Sequence, residues 1–494
     1  MGEINSIKKY NHWQILFLAL CLLSGYKGSS QAADMLFMLP DNYRAQMLNP
    51  AYINSEYATL ALPGFAGLSF SNEANFKITD LVYTLPTGQT IYDLGRFSEK
   101  GYAVKRNSIH LDAPLLYVGI PSKNGMFSFY LKEHISTAAR FPVNTIVWFN
   151  NGNLSEEYHD FHSRDIDFNM FGYHELGVGF AKTLRNNMHF GVRGKLLLGE
   201  MFVHANNWNF GIQTSPTGEK ITITMTGRGK ASFPFSLVKN DLNRFQSIDS
   251  KNVISNYFSA RNPGFAFDGG ISIDIDEKRK FSASVTDLGL IYFSDNSWNF
   301  NQNVDYEYYG INLTNSTNSK LRDAVYIYPF YVMMDLKDSL RNVFKPFVNS
   351  KKFFQVLSPQ TVLHYEYKYL PNLSVGVTNH TIFQNPYVIN TLSLNALKRN
   401  GNLSLLGDLS IHQLSSVSVG GGFQWNTRFT QLFFFTDNLL AFYHPAAQKS
   451  YSVMFGLNFL LSRNNEDNNK VDGKTNYSRR GKISKYFPFY KKYK

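Results

Sequence analysis

Cysteine is all but missing from this 494-residue chain, and Cys21 is the only one. It lies in an apolar stretch near the amino terminus, so the chain beyond it has no disulfide, thiolate zinc site or cysteine nucleophile. Charged residues are scarce, at 17% against roughly 25% in an ordinary soluble domain. Such a chain is a poor candidate for extensive disorder. A mean hydropathy of −0.25 is too polar for a bundle of membrane helices. After the first segment nothing approaches 18 consecutive apolar residues, so no spanning helix is expected. Nucleophile-elbow, phosphate-loop, H-E-x-x-H and dinucleotide motifs are also lacking. Gly227-Arg228-Gly229-Lys230 has neither the spacing nor the following hydroxyl of a phosphate loop. The expectation is a protein without enzyme activity and without a cofactor.

The net charge of +12 is unevenly spread. Residues 1–32 carry Lys8, Lys9 and Lys27 against Glu3; residues 462–494 carry ten Lys/Arg against Glu466, Asp467 and Asp472. The two ends therefore hold +2 and +7, which leaves +3 for the body. A nucleic-acid groove needs clustered phosphate-neutralising charge, so no nucleic-acid partner is expected.

What is present begins with an export signal. Lys8 and Lys9 precede the apolar run Trp13 to Leu23, and Ser30-Gln31-Ala32 fits small-residue cleavage after Ala32. The run is too short to span a bilayer, which takes about 20 residues. A buried first helix is the alternative. A lipid-anchored reading through Cys21 is weaker, since Leu20 stands where a small residue is required.

Beyond it, the recurring pattern has a period of two. Tyr451, Val453, Phe455, Leu457 and Phe459 alternate with Ser452, Met454, Gly456 and Asn458. Phe267, Ile271, Ile273 and Ile275 alternate with Asp268, Gly270, Ser272 and Asp274, and the runs from Leu403 and Val417 behave likewise. Successive strand side chains point to opposite faces, so each segment has one apolar face and one small or polar face. A soluble sandwich gives the same alternation. Three features favour a membrane barrel. The polar faces are rich in Gly, Ser and Asn rather than Lys and Glu. Aromatics near strand ends, as in Trp425, Phe433 to Phe435 and Tyr451, read as an interfacial girdle. Strands also continue for some 400 residues without a linker.

Strand onsets fall near residues 57, 108, 125, 172, 187, 220, 264, 280, 303, 360, 372, 387, 402, 415, 428 and 450. One or two of these are expected outside the membrane. The predicted fold is all-β: a closed antiparallel transmembrane barrel of fourteen strands, with sixteen as the alternative, and short lumenal or loop helices. Helices are predicted at Leu336–Phe344, ended by Pro346, and over residues 248–258. The expected organisation is a signal (1–32), an amino-terminal periplasmic or lumenal segment (33–56), the barrel (57–461) and a basic, disordered periplasmic tail (462–494).

Three groups could carry function. Glu175, Arg193 and Lys195 share the non-lipid parity of two strands joined by a short turn at Arg185-Asn186-Asn187, with Glu175 opposite or diagonal to Lys195. They read as a lumenal ion pair, or as a charged constriction that selects permeants. Asn49-Pro50-Ala51 reads as a plug motif or a turn. His159, His162 and Asp165 are the densest potential metal ligands, but they sit in a polar loop and match no known spacing; a hydrated loop is the simpler reading.

Several segments resemble an uncharacterised outer-membrane barrel family of the Bacteroidota, known as a domain of unknown function. They are Leu48-Asn49-Pro50-Ala51; Glu175 to Ala181 followed by Gly191 to Lys195; Gly264 to Gly270 leading into Phe281 to Gly289; and a closing hairpin through Gln431-Leu432-Phe433, Thr436-Asp437-Asn438 and Phe455 to Phe459. That family is similar in outline to the fatty-acid-transporter (FadL-like) and type IX secretion-associated barrels. The long basic tail departs from it. The resemblance implies an outer-membrane protein, with bilayer lipid around it, that passively transports or binds a small amphipathic or hydrophobic molecule. The alternative is a non-transporting scaffold of a secretion or envelope complex that reaches a periplasmic partner through its basic tail. A third reading is a soluble exported β-protein.

Overall fold

The computed structural model describes residues 32–100, 102–151, 160–185, 187–217, 219–257, 261–309, 345–384, 387–412 and 416–462. The signal, the helix expected at Leu336–Phe344 and the tail beyond residue 462 lie outside them.

Sixteen long strands carry the chain. In order they are β1 (Tyr57–Ala61, resumed at Leu68–Ala74), β2 (Val104–Ser122), β3 (Gly125–Pro142), β4 (Asp160–Arg185) and β5 (Met188–Thr214). Then come β6 (Ile221–Ser232), β7 (Pro263–Asp274), β8 (Arg279–Phe293), β9 (Ser297–Tyr308), β10 (Gln360–Leu370) and β11 (Leu373–Gln384). The last are β12 (Tyr387–Asn400), β13 (Leu403–His412), β14 (Ser416–Asn426), β15 (Thr430–Thr436) and β16 (Ser450–Ser462).

Fourteen of these form a closed antiparallel barrel. Each pairs with the next, except that β5 pairs with β7 and β8 with β10. β16 closes the ring on β1, with Tyr57 opposite Ser462. The excluded pair, β6 and β9, bond to each other and continue the sheet from the far half of β5. Both ends of the barrel sheet, Tyr57 and Ser462, lie at the rim with the tight turns, such as Lys123-Asn124 and Gly401-Asn402. Closure leaves the wall no free edge.

Parity sets which face is which. In β4, Tyr173, Glu175 and Gly179 are buried while Val178 is 58% exposed; β5 alternates buried Arg193, Lys195 and Leu197 with exposed Val192 and Leu196. Exposed Phe127, Phe265, Leu394, Leu409 and Val419 continue that apolar belt around the barrel. Its polar counterparts Ser128, Ser393, Asn395, Ser410 and Ser418 line the interior. Among the described residues no helix is long and apolar enough to cross a membrane. The strands do the crossing, and the belt is the surface that meets lipid.

The lumen is filled from within. Residues Ala32–Met38 form a 3-10 turn, followed by helix α1 (Tyr43–Leu48), whose start is capped by the Asn42 side chain accepting from the Arg44 amide at 2.8 Å. Met35 to Leu39 lie fully buried against Tyr117, Tyr130, Phe433 and Phe435 of the wall. Each such side chain contributes about 1.5–3 kcal/mol on leaving water. Phe433 and Phe435 are therefore not part of a girdle: strand parity turns them inward onto this segment, and Tyr43 packs edge-on to Phe433. Trp425 does face outward near the tight-turn rim.

β1 is broken between Ala61 and Leu68. Gly67 has φ +90°, and a Cβ there would stand 1.8 Å from the Phe455 carbonyl oxygen, so only glycine fits. The Tyr43 hydroxyl donates to the Ala66 carbonyl at the break. Residues 248–258 do not form one helix. Ile248 belongs to a short strand (Phe245–Asp249), and only Val253–Tyr257 is helical, because the segment folds as part of the long-loop rim.

Candidate functional site

The lumenal charges come from six strands. Glu175 stands across from Leu197 and diagonal to Lys195, whose direct partner is Gly177. Lys195 Nζ lies 3.1 Å from Glu175 Oε1, 2.9 Å from Asp268 Oδ1 and 2.6 Å from Asp287 Oδ1. Arg193 does not pair with Glu175. Its Nη1 donates to Asp268 Oδ2 at 3.0 Å, and its guanidinium stacks 5.1 Å from the Tyr130 ring. Lys132 reaches Glu175 Oε2 at 3.3 Å and Asp112 Oδ1 at 3.6 Å, while the Tyr130 hydroxyl donates to Glu175. Asp112 also meets His134 Nδ1 at 2.7 Å. Charges so deeply buried persist only when paired and hydrogen-bonded, and this network pairs three cations with four carboxylates.

Asp268 and Asp287 were not singled out by sequence. Asp268 was legible on the polar face of its run, but β7 follows β5 in the wall only because the intervening β6 leaves it. Asp287 sits at the irregularity where pairing of β7 with β8 slips between Phe267 and Gly269, with φ +63°. Its amide donates to Asp268 Oδ1 at 2.8 Å, which holds both carboxylates against Lys195.

The same cluster grips the amino-terminal segment. Arg193 donates to the Met47 and Gln46 carbonyl oxygens, at 2.8 and 2.5 Å, at the end of α1. A cation there also complements the negative end of the helix. Asn49, Pro50 and Ala51 lie just beyond, inside the barrel. Asn49 Oδ1 accepts from the Ala51 amide at 2.9 Å and its Nδ2 donates to the Ile271 carbonyl at 3.2 Å. The motif is thus a turn and a lumenal contact at once. Gly191 and Gly270 leave the room it needs: a Cβ on either would come within 2.1 Å of the Pro50 carbonyl oxygen or of Asn49 Oδ1. Further along, Asp34 meets His380 at 2.7 Å and Ser393 at 3.0 Å, and Asn42 donates to Gln424 at 2.9 Å.

Between segment and wall lies a cavity of about 120 Å³. Its lining mixes apolar side chains, among them Leu36, Met47, Leu48, Phe171 and Met454, with the polar and charged Arg44, His110, Asp112, Lys132 and Glu175. Arg44, 5% exposed, is the exception to the pairing. Its guanidinium neighbours the Tyr43 hydroxyl, but among the described residues no carboxylate lies within 4.0 Å of it.

The three metal-ligand candidates are not brought together among the described residues. His159 lies outside the described residues. His162 is exposed, 3.0 Å from Asp160, and Asp165 follows in the same strand. These residues belong not to a loop but to the far end of β4, which begins at Asp160; a strand projecting beyond the membrane need not carry an apolar face. Among the described residues no three His, Cys, Asp or Glu side chains are grouped to hold a metal.

Fold and interior together define a transmembrane β-barrel of the outer-membrane type, occupied by its own amino-terminal segment. The chain belongs to a family of unknown function, DUF5723, whose model matches residues 50–437. No curated protein matches it. Among solved structures it is similar in outline to a Pseudomonas aeruginosa FadL homologue, at 10% identity and a TM-score of 0.38, over 89% of this chain and 100% of that one. It is also similar to a deletion mutant of the TodX monoaromatic hydrocarbon channel, at 7% identity and 0.38, over 89% and 97%. A third is the Pseudomonas putida toluene transporter TodX, at 7% identity and 0.34, over 88% and 94%.

Proposed function

We propose that this barrel resides in the outer membrane, after cleavage near Ala32, and passively binds and passes a small amphipathic molecule carrying an anionic group. The observation that carries this is the cavity of mixed apolar and charged lining, in which Arg44 has no carboxylate in contact. Lys132, Arg193 and Lys195 each meet a carboxylate. A buried guanidinium with no carboxylate in contact is costly, and an anionic head group would supply that partner while the apolar lining residues take the hydrocarbon. Ser69 and Met454 line this cavity and pair with each other just past the break in β1, so the cavity adjoins that break. Glu175, Arg193 and Lys195 hold the plug in place in this reading, and the Asn49-Pro50-Ala51 turn is its foot.

The test is a titration of detergent-solubilised full-length protein with a fluorescent long-chain carboxylate and with the neutral amide of the same chain. Arg44→Gln is expected to weaken carboxylate binding at least tenfold, about 1.4 kcal/mol, and to leave the amide unchanged. Absence of saturable binding by either ligand contradicts the proposal.

A further inference from the structure

β15 has seven residues. At about 3.3 Å each and a tilt near 40°, it rises only roughly 18 Å through an apolar belt about 25 Å tall. β15 therefore stops short of its neighbours β14 and β16, which continue past Thr436 to Ser416 and Ser450, and far short of β4 and β5, with 26 and 27 residues. The segment that follows β15 does not leave for water. It makes a 3-10 turn, Leu439–Phe442, folded back on the outer face of the barrel. Phe442 packs 5.8 Å from outward-facing Phe434, and Leu439 covers Gly421 of β14. Leu440 and Tyr443 point away from the wall, 60% and 81% exposed.

Two independent features say what surrounds it. Residues 438–448 contain no Asp, Glu, Lys or Arg, although the opposite-rim turn at Asp276-Glu277-Lys278 is fully charged. Four of the segment's backbone amides are also satisfied from within. The Leu440 amide donates to Asn438 Oδ1 at 3.1 Å, the Ala441 amide to the Asn438 carbonyl at 3.2 Å, and the Tyr443 and His444 amides to the Leu440 carbonyl at 3.2 and 3.1 Å. Hydrocarbon demands such internal bonding; a water-exposed loop does not.

We propose that Leu439–Tyr443 is a membrane-inserted element, seated among lipid acyl chains of the leaflet on the long-loop side and continuous with the apolar belt below it. It substitutes for the height that β15 lacks. The inference rests on the membrane-barrel reading, and the test separates the two.

In a Cys21→Ser background, single nitroxide labels are placed at Leu440→Cys and Tyr443→Cys, with Leu409→Cys on the belt and Lys278→Cys in a turn as references. Protein reconstituted in phosphatidylcholine vesicles is then probed by collision with oxygen and with a water-soluble nickel chelate. The expected result is that Leu440 behaves as Leu409 does, reached by oxygen and shielded from nickel, with Tyr443 shifted partway toward the aqueous reference. Nickel access at Leu440 equal to that at Lys278 overturns the proposal, as does shielding from both reagents, which would mean a protein contact. Shielding of Leu409 itself from oxygen would overturn the barrel reading along with it.

Discussion

Arg193 performs two tasks with one guanidinium: it neutralises Asp268 and ties down the last carbonyls of α1. Removing it leaves a buried carboxylate with Lys195 alone and frees the end of the plug helix. Arg193→Met is expected to cost about 3–5 kcal/mol, read as urea unfolding of protein refolded into vesicles. Arg193→Met with Asp268→Leu should cost less than the two single losses combined. A loss below about 1 kcal/mol for the single change, the worth of an exposed pair, would contradict this account. At this scale the sequence was partly legible. Strand parity placed Glu175, Arg193 and Lys195 on the interior, where the structure has them. It could not supply Asp268 as a partner, because that needs the β5–β7 pairing, nor Asp287, which enters through a slipped register. Arg44 left no signal at all: α1 is buried on several sides by the barrel, so it shows no amphipathic stripe to read.

Strands were legible because each one meets two different media, and that imposes a period of two. All sixteen onsets correspond to strands, and the two surplus ones, near 220 and 303, are β6 and β9 beyond the barrel. Lengths were not legible, since beyond the lipid the apolar half of the pattern is no longer required; β4 therefore starts at Asp160 rather than near 172. The plug was harder still. Its buried run Met35–Leu39 looks like any apolar pentapeptide until the lumen around it is known. Gly191 tests its seat. A side chain there would strike the Pro50 carbonyl group at 2.1–2.2 Å, backbone that cannot swing aside. Gly191→Val is expected to displace the segment and raise single-channel conductance in planar bilayers, while Gly194→Val, which meets nothing within 4 Å, should not. Equal conductance for both variants, with the barrel folded, would show that the Asn49-Pro50-Ala51 foot does not close the pore.

For the whole molecule the governing fact is an inversion of the usual globular arrangement. Ser, Asn and paired charges fill the inside together with the apolar plug, and the large unpaired apolar surface lies outside, in a belt from Phe127 around to Phe455. In water such a belt would be an aggregation surface; in a bilayer it is what retains the protein. The near-neutral body fits this, since most of the net positive charge sits in the two ends. The most direct measurement is residue-resolved labelling by a carbene generated on a lipid acyl chain, with the protein in vesicles and adducts mapped by mass spectrometry. Adducts are predicted at Val178, Val192, Phe265, Leu394 and Val419, and none at their neighbours Gly179, Arg193, Ala266, Ser393 and Ser418. Labelling of the second set, or of neither, would contradict the assignment of the apolar faces to lipid.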